Sequence, residues 1–271
     1  MTYLIAASRF DPAALNIADK LITRYGFKAV GRYAGGGEVY QQDDIQLIYL
    51  DVDSVKVVDF EEVSNVEAVV FASRHRSESG EPTLTVHVPG NLTSEANYGG
   101  RPRELAWAWP QRMKNALRKL MALRGTLKTD YRVSLEATHH GPTALRAPVW
   151  FVEIGSSERY WGDEEAGAVV AEAIWASLTE KPEGRGCVGF GGGHYSPKHT
   201  HLCLESDLAI GHIVPKYLLD SVDSATLTEA FKKTWGGCNT AVIDWKGLKG
   251  SQRERLLAVL RKEEIAEVVK A

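Results

Sequence analysis

The chain has little of what most quickly assigns a sequence to a class. It holds only three cysteines, Cys187, Cys203 and Cys238, an odd count with no Cys-x-x-Cys spacing, which argues against a disulfide framework and fits reduced, buried thiols. No segment approaches the roughly 18 apolar residues a membrane span needs. The opening "MTYLIAASRF" has too short an apolar run for a signal peptide, so a cytoplasmic protein is expected. Low-complexity tracts and internal repeats are absent, and with 44% hydrophobic and 25% charged residues disorder is not expected. Catalytic signatures are missing too: there is no Gly-x-Ser-x-Gly elbow, no His-Glu-x-x-His, no phosphate loop ending in Gly-Lys-Ser/Thr and no complete dinucleotide fingerprint. Serine-hydrolase and nucleotide-hydrolase readings weaken accordingly. A net charge of −3 gives no global case for a polyanionic partner.

What is present is order in small units. "TYLIAAS" reads as a buried strand, followed by a helix with Asp11 as N-cap, Pro12 in the first turn and Gly26 just past its end. Short strands are expected around 27–33, 37–40 and 45–50, with turn chemistry in "AGGGE" and "QQDD". "VEAVVFAS", "TLTVHVP", "YRVSLEAT", "PVWFVEIGS", "GCVGFGG", "AVIDW" and "IAEVV" read as further strands. Helices are expected at 110–125, in "GDEEAGAVVAEAIWASLTE", in "TLTEAFKKTWG" and in "SQRERLLAVLRKEE", the last opened by a Ser251/Glu254 capping box. The alternation predicts one α/β domain over residues 1–271, with a mixed, mostly parallel central sheet covered on both faces. Residues 89–132 form an insertion in this reading, an irregular Gly/Pro/Asn-rich loop followed by a basic helix.

Charge is placed unevenly. Residues 34–67 carry nine Asp or Glu against one Lys, whereas 110–132 carry seven Lys or Arg against Asp130 alone. In the helix from 110, Met113, Ala116, Leu117, Leu120 and Leu123 share one face and the basic residues spread over the rest. An ordinary solvated helix face is the plain explanation, and an anion-binding face the functional one.

The chemistry collects at the carboxyl ends of strands. "VEAVVFAS" runs into Arg74-His75, "YRVSLEAT" into His139-His140, "PVWFVEIG" into Ser156-Ser157, and "CVGFGG" into Gly193-His194-Tyr195. Ligands of open α/β sheets bind beyond these ends, so the four loops are expected to converge. Adjacent residues leaving a strand point apart, so one ring of the His139/His140 pair is expected in the pocket and the other bracing the backbone. Glu136 and Glu153 are the neighbouring carboxylates able to orient a ring or accept a proton. His87 shares a strand face with Thr83 and Thr85, either pocket wall or solvent face, and His212 favours a structural role. His199, His201 and Cys203 alternate as strand residues would and imitate a metal site. A pocket of histidines and carboxylates beside flexible glycine amides suits hydrolysis by activated water with backbone stabilisation of an oxyanion.

Taken in order, "FASRH", "LTVHVPGN", "YGG", "EATHHGPT", "FVEIGSSE" with Trp161, "GFGGGHYSPK", "DLAIGHIVPKY" and "VIDWKG" resemble the archaeal and plant type of D-aminoacyl-tRNA deacylase, from about residue 3 to the end of the chain. The resemblance implies hydrolysis of the ester between a D-amino acid and tRNA by a zinc-dependent monomer with a three-layer α/β/α core, similar to peptidyl-tRNA hydrolases and purine nucleoside phosphorylases. Carried over by motif, His139, His140, His194 and Glu136 are the expected catalytic residues, with Gly191, Gly192 and Gly193 as oxyanion donors. His75, His87, His140, His194, Glu153 and His212 are the expected pool of zinc ligands, with no trio spaced diagnostically. Arg112, Lys114, Arg118, Lys119, Arg124 and Lys128 are expected to meet the acceptor end of tRNA. Two other classes remain open: a zinc exopeptidase or nucleoside phosphorylase-like enzyme, though the candidate loops are poor in the Asp ligands an exopeptidase needs, and a non-catalytic tRNA-binding module.

Overall fold

A computed structural model describes residues 1–33, 37–60, 63 and 65–271. The Gly-rich turn expected at 34–37 lies largely outside them. The first half of the chain runs β1 (Thr2–Ser8), α1 (Pro12–Tyr25), β2 (Lys28–Arg32), β3 (Glu38–Gln42), β4 (Ile45–Leu50), β5 (Val66–Arg74), β6 (Thr83–His87), α2 (Pro110–Leu123) and β7 (Arg132–Leu135). The second half adds β8 (Val149–Gly155), α3 (Glu158–Trp161), α4 (Glu164–Thr179), β9 (Arg185–Phe190), α5 (Pro197–Glu205), β10 (Leu208–Val214), α6 (Ser224–Lys232), β11 (Thr240–Ile243), α7 (Gly250–Lys262) and β12 (Glu267–Lys270).

The expected mixed, mostly parallel architecture is present, but it is divided between two sheets where one was expected. The large sheet has the order β2-β3-β4-β1-β5-β8-β6-β7 and the small one β10-β9-β11-β12. The small sheet is wholly parallel. In the large one β1, β4, β5 and β8 run together, while β6 and β7 lie antiparallel to β8. The β6 reversal matters for the site, because it sets His87 opposite Phe151 in the middle of β8 rather than at its end. Fully buried β-branched and aromatic residues such as Val70, Phe71, Trp150 and Val152 explain the central strands.

Local chemistry explains the ends. The Asp11 carboxylate accepts from the Ala13 and Ala14 amides, and Gly26 takes the left-handed conformation (φ 74°) that closes α1. Asp163 caps α4 in the same way. At α7 the predicted Ser251/Glu254 box is not used; the helix begins a residue earlier and the Gln252 side chain accepts from the Lys249 amide. Residues 197–205 are helix, not strand, and His199, His201 and Cys203 therefore do not share one extended face. His199 is buried with Nε2 on the Val242 carbonyl, a packing role.

The basic helix α2 also differs from its sequence reading. Arg112 and Lys114 are buried. Arg112 donates to the carbonyls of Ser177, Leu178 and Glu180 at the end of α4 and to the Tyr3 hydroxyl. Lys114 donates to the carbonyls of Ser206 and Leu208 beyond α5. The orphan carbonyls and negative dipole of a helix end favour a cation there, and that draws both side chains inward. Neither is placed to meet phosphate. Lys119 pairs with Glu180 at 2.9 Å and Lys128 with Glu165 at 2.5 Å, so Arg118 and Arg124 are the members of the set that are exposed with no ion pair among the described residues. No helix of the described residues is long and apolar enough to cross a membrane.

Because Arg112 is a buried cap, Arg112→Ala is expected to lower unfolding stability by about 2–4 kcal/mol in chemical denaturation, as three carbonyls lose a charged donor. Unchanged stability together with weakened tRNA binding would reverse this assignment.

Candidate active site

Four chain segments converge, three of them at the anticipated loops after β5, β7 and β9 and the fourth through Glu153 inside β8 rather than the Ser156-Ser157 turn beyond it. His75 follows β5, Glu153 lies near the end of β8, His194 follows β9, and Glu136, His139 and His140 continue from β7. The β7 extension is stitched to the small sheet: Ala137 N–H donates to the His194 carbonyl, and Thr138 N–H to the Ile213 carbonyl. This seam holds residues from both sheets in one register. Gly155 permits the closest approach, since a Cβ there would sit 2.4 Å from Thr83 Oγ1 and 2.9 Å from His75 Cβ.

Glu136 is the hub. Its carboxylate is inaccessible to solvent and lies 3.2 Å from His75 Nδ1, 3.2 Å from His194 Nε2 and 3.7 Å from His139 Nε2. Glu153 lies 3.4 Å from His75 Nδ1 and 3.7 Å from His87 Nε2. His87 is fully buried and stacks on Phe151 at 5.1 Å, which places it in the pocket wall. The rings of His139 and His140 both lie against His87, at 4.3 and 4.9 Å between centroids. The expectation that one of the pair would brace the backbone is therefore corrected. His140 adopts φ 45°, in the left-handed region costly for a side chain with a Cβ, and this turns both rings to the same side. The Gly90 amide holds the turn by donating to both the His139 and His140 carbonyls.

Hydrogen bonds fix which nitrogens are free. His139 Nδ1 donates to the Ala137 carbonyl and His140 Nδ1 to the Gly141 carbonyl, leaving Nε2 of each as a lone-pair donor. Despite the short separations, both oxygens of Glu136 and both nitrogens of His87 are buried without a completed hydrogen bond among the described residues. A buried carboxylate facing a ring lone pair is unfavourable unless positive charge lies between them.

Charge divides the histidines. Burial alone would lower the His75 pKa, but the hydrogen bond to Glu153 and the charges of both glutamates outweigh it and push it up to about 9. His87 is raised against burial by the same Glu153. Burial and then the neighbouring imidazoles hold His139 well below its usual range, and burial with His87 brings His140 down to about 4. Burial opposes ionisation of Glu136, yet His194 and His75 bring it down to about 2. The glutamates thus favour the charged form of His75 and His87, whereas burial and neighbouring rings favour the neutral form of His139 and His140.

Not every expected residue joins the cluster. His212 is apart from it, fully buried, with Nδ1 against the Thr138 hydroxyl and Nε2 donating to the Ala106 carbonyl; with both nitrogens engaged it is a structural residue and not a ligand. The Gly191 amide is spent on the Val214 carbonyl, so it cannot serve an oxyanion, whereas Gly192 and Gly193 line an open cleft beside His194 and their amides make no backbone hydrogen bond among the described residues. Tyr195 was not singled out from sequence as a site residue, yet its hydroxyl lies 2.9 Å from His75 Nε2. Its place directly after His194 in a strand-end loop was the available signal. A separate cavity of about 580 Å³, bordered by Phe60, Val69 and Arg146, holds none of these side chains.

In the metal-free protein, imidazole NMR is expected to show His75 titrating near pH 9, falling toward the ordinary value in Glu153→Gln. Its folded pKa is raised above the unfolded value of 6.5, so its contribution to stability is full below about pH 6.5 and is lost as pH rises through about 9. An unshifted His75 would contradict the charge assignment.

A sequence model described as D-aminoacyl-tRNA deacylase matches residues 62–268. A D-aminoacyl-tRNA deacylase of Pyrococcus furiosus is 38% identical over 258 residues, covering 93% of both chains. One of Pyrococcus abyssi is 39% identical over 263 residues at the same coverage of each. A Methanosarcina mazei enzyme of the same name is 43% identical over 194 residues, covering 72% of this chain and 64% of its own. A crystal structure of a conserved protein of unknown function superposes with a TM-score of 0.90 at 32% identity, covering 99% of this chain and 95% of that one. The chain belongs to the D-aminoacyl-tRNA deacylase family.

Proposed function

We propose that this chain hydrolyses the ester joining a D-amino acid to the terminal ribose of tRNA, releasing free D-amino acid and tRNA. The observation that carries the mechanism is Glu136, a buried carboxylate within 3.2 Å of His194 Nε2, on a histidine ring that is about one-third exposed to the cleft. With Nε2 facing Glu136, His194 presents Nδ1 to a water molecule and accepts its proton as that water attacks the ester carbonyl. The carbonyl oxygen takes the developing negative charge, which the Gly192 and Gly193 amides stabilise. Collapse of the tetrahedral species breaks the ester bond, and His194 returns the proton to the ribose oxygen. His75, between Glu136 and Glu153, keeps both carboxylates in place and passes its own orientation to Tyr195.

The donor set also fits zinc. His87, His139 and His140 place ligand nitrogens within 4.8 Å of one another, and His75, Glu136 and His194 form a second such trio. The unpartnered atoms of His87 and Glu136 are the kind a cation satisfies. These residues would hold the ion, which would supply Lewis-acid chemistry there for the ester carbonyl and for water. In this reading the protein works as a monomer in the cytoplasm.

The test is incubation with D- and L-tyrosyl-tRNA, with and without a chelator, following amino-acid release. Release from the D-substrate alone, lost with chelator and restored by zinc, is expected. His194→Ala and Glu136→Gln should each slow single-turnover hydrolysis by about 10²-fold or more. Equal release of L-tyrosine would overturn the function, and wild-type rates in both variants would overturn the site.

A further inference from the structure

With Arg112 and Lys114 committed to helix ends, the question is what else receives the phosphates of a tRNA terminus. Two adjoining clefts of about 490 and 590 Å³ open beside His194 and share Gly192, Gly193 and Asp244. Their charged lining is Arg132, Lys198, Lys216 and Lys249 against Asp220 and Asp244, four cations and two anions, an excess of two positive charges. The anions are already engaged: Asp244 pairs with Lys198 at 2.5 Å, and Asp220 accepts from the Gln252 amide at 2.9 Å. Arg132 lies over the Tyr195 ring and 4.0 Å from Glu81. That leaves Lys216 and Lys249, both exposed and without an ion pair among the described residues.

The two lysines sit on a braced frame. Lys216 N–H donates to the Gly192 carbonyl, Gln252 Nε2 donates to the Lys216 carbonyl, and Lys249 N–H donates to Gln252 Oε1. The glycine loop, the turn after β10 and the start of α7 therefore hold one spacing. Beside Lys216, Tyr217 is 58% exposed, and lines the same cleft. Flexible cations on a fixed frame next to an accessible aromatic ring form the pattern that holds single-stranded nucleic acid, by phosphate contact and base stacking.

We infer that this cleft seats the single-stranded 3′ end of the tRNA, with Lys216 and Lys249 on its terminal phosphodiesters and Tyr217 stacked on a terminal base. The inference rests on the proposed deacylase function for the identity of the RNA. The seat leads the terminal ribose toward His194 from the small-sheet side, and the exposed arginines of α2 are not needed for it.

The test measures uncharged tRNA binding across a salt series and steady-state deacylation in the same variants. Lys216→Glu with Lys249→Glu should weaken tRNA binding at least about tenfold and flatten the slope of log affinity against log salt by roughly 1.4, the value for two contacts to a single strand. Arg118→Glu with Arg124→Glu should do neither. Tyr217→Ala should raise KM about 5- to 100-fold with much less effect on kcat, and Tyr217→Phe, which keeps the ring, should restore KM. If the glutamate variants misfold by thermal melting, Lys216→Gln with Lys249→Gln supplies the same comparison. Unchanged affinity and slope in the lysine variants would overturn the inference, as would failure of Tyr217→Phe to rescue. A wild-type protein that binds tRNA through these lysines but releases no D-amino acid would sink the deacylase reading alone. One that deacylates with the lysines reversed and affinity intact would sink this inference alone.

Discussion

A carboxylate carried from water into a protein interior loses several kcal/mol of hydration that something nearby must replace. This chain buries two, Glu136 and Glu153, within reach of the same His75 nitrogen. The surrounding choices follow from that constraint. Two histidines are driven toward the charged form by the glutamates, and two others, pressed against them, are held neutral. A dication bound at this cluster would compete with those protons, since either would supply the charge the carboxylates require.

The fold meets this constraint by reversing direction. Parallel strands alone would deliver every functional loop to one edge, but β6 and β7 run against β8, so His87 enters from the middle of the sheet while Glu136 leaves β7 toward the small sheet. The seam between Glu136–Thr138 and the β9 and β10 ends joins the sheets at the residues that need the tightest placement. Substrate then has to come from the open side, where His194, Gly192 and Gly193 face the cleft. The cations proposed to hold tRNA and the proposed general base share that rim.

The sequence made the strands legible because buried β-strands announce themselves in runs such as "VEAVVFAS", and it made the site legible because chemistry-bearing residues cluster just beyond such runs. His75, His139, His140 and His194 were found that way, and Asp11 and Gly26 identified α1. Other features depended on distant partners. Arg112 and Lys114 read as surface charges because the helix ends that draw them in are about 65 and 92 residues away in sequence. His212, for which the residues favoured a structural role and only the motif suggested a ligand, is fixed at both nitrogens by Thr138 and Ala106. The His140 turn required a backbone angle that periodicity does not encode. Residues 197–205 alternated His, His and Cys, yet Pro197 at the first turn of a helix settled the matter.

The most direct test is whether the protons held on the histidines beside Glu136 and Glu153 are exchanged for a bound metal ion. Calorimetric zinc titration of the chelator-treated protein at pH 7, repeated in buffers of different ionisation enthalpy, counts the protons released per ion bound. Release of about one to two protons in the wild type, and fewer in Glu153→Gln where His75 and His87 lose their charge partner, is the predicted result. Binding without proton release, or equal release in both proteins, would contradict it.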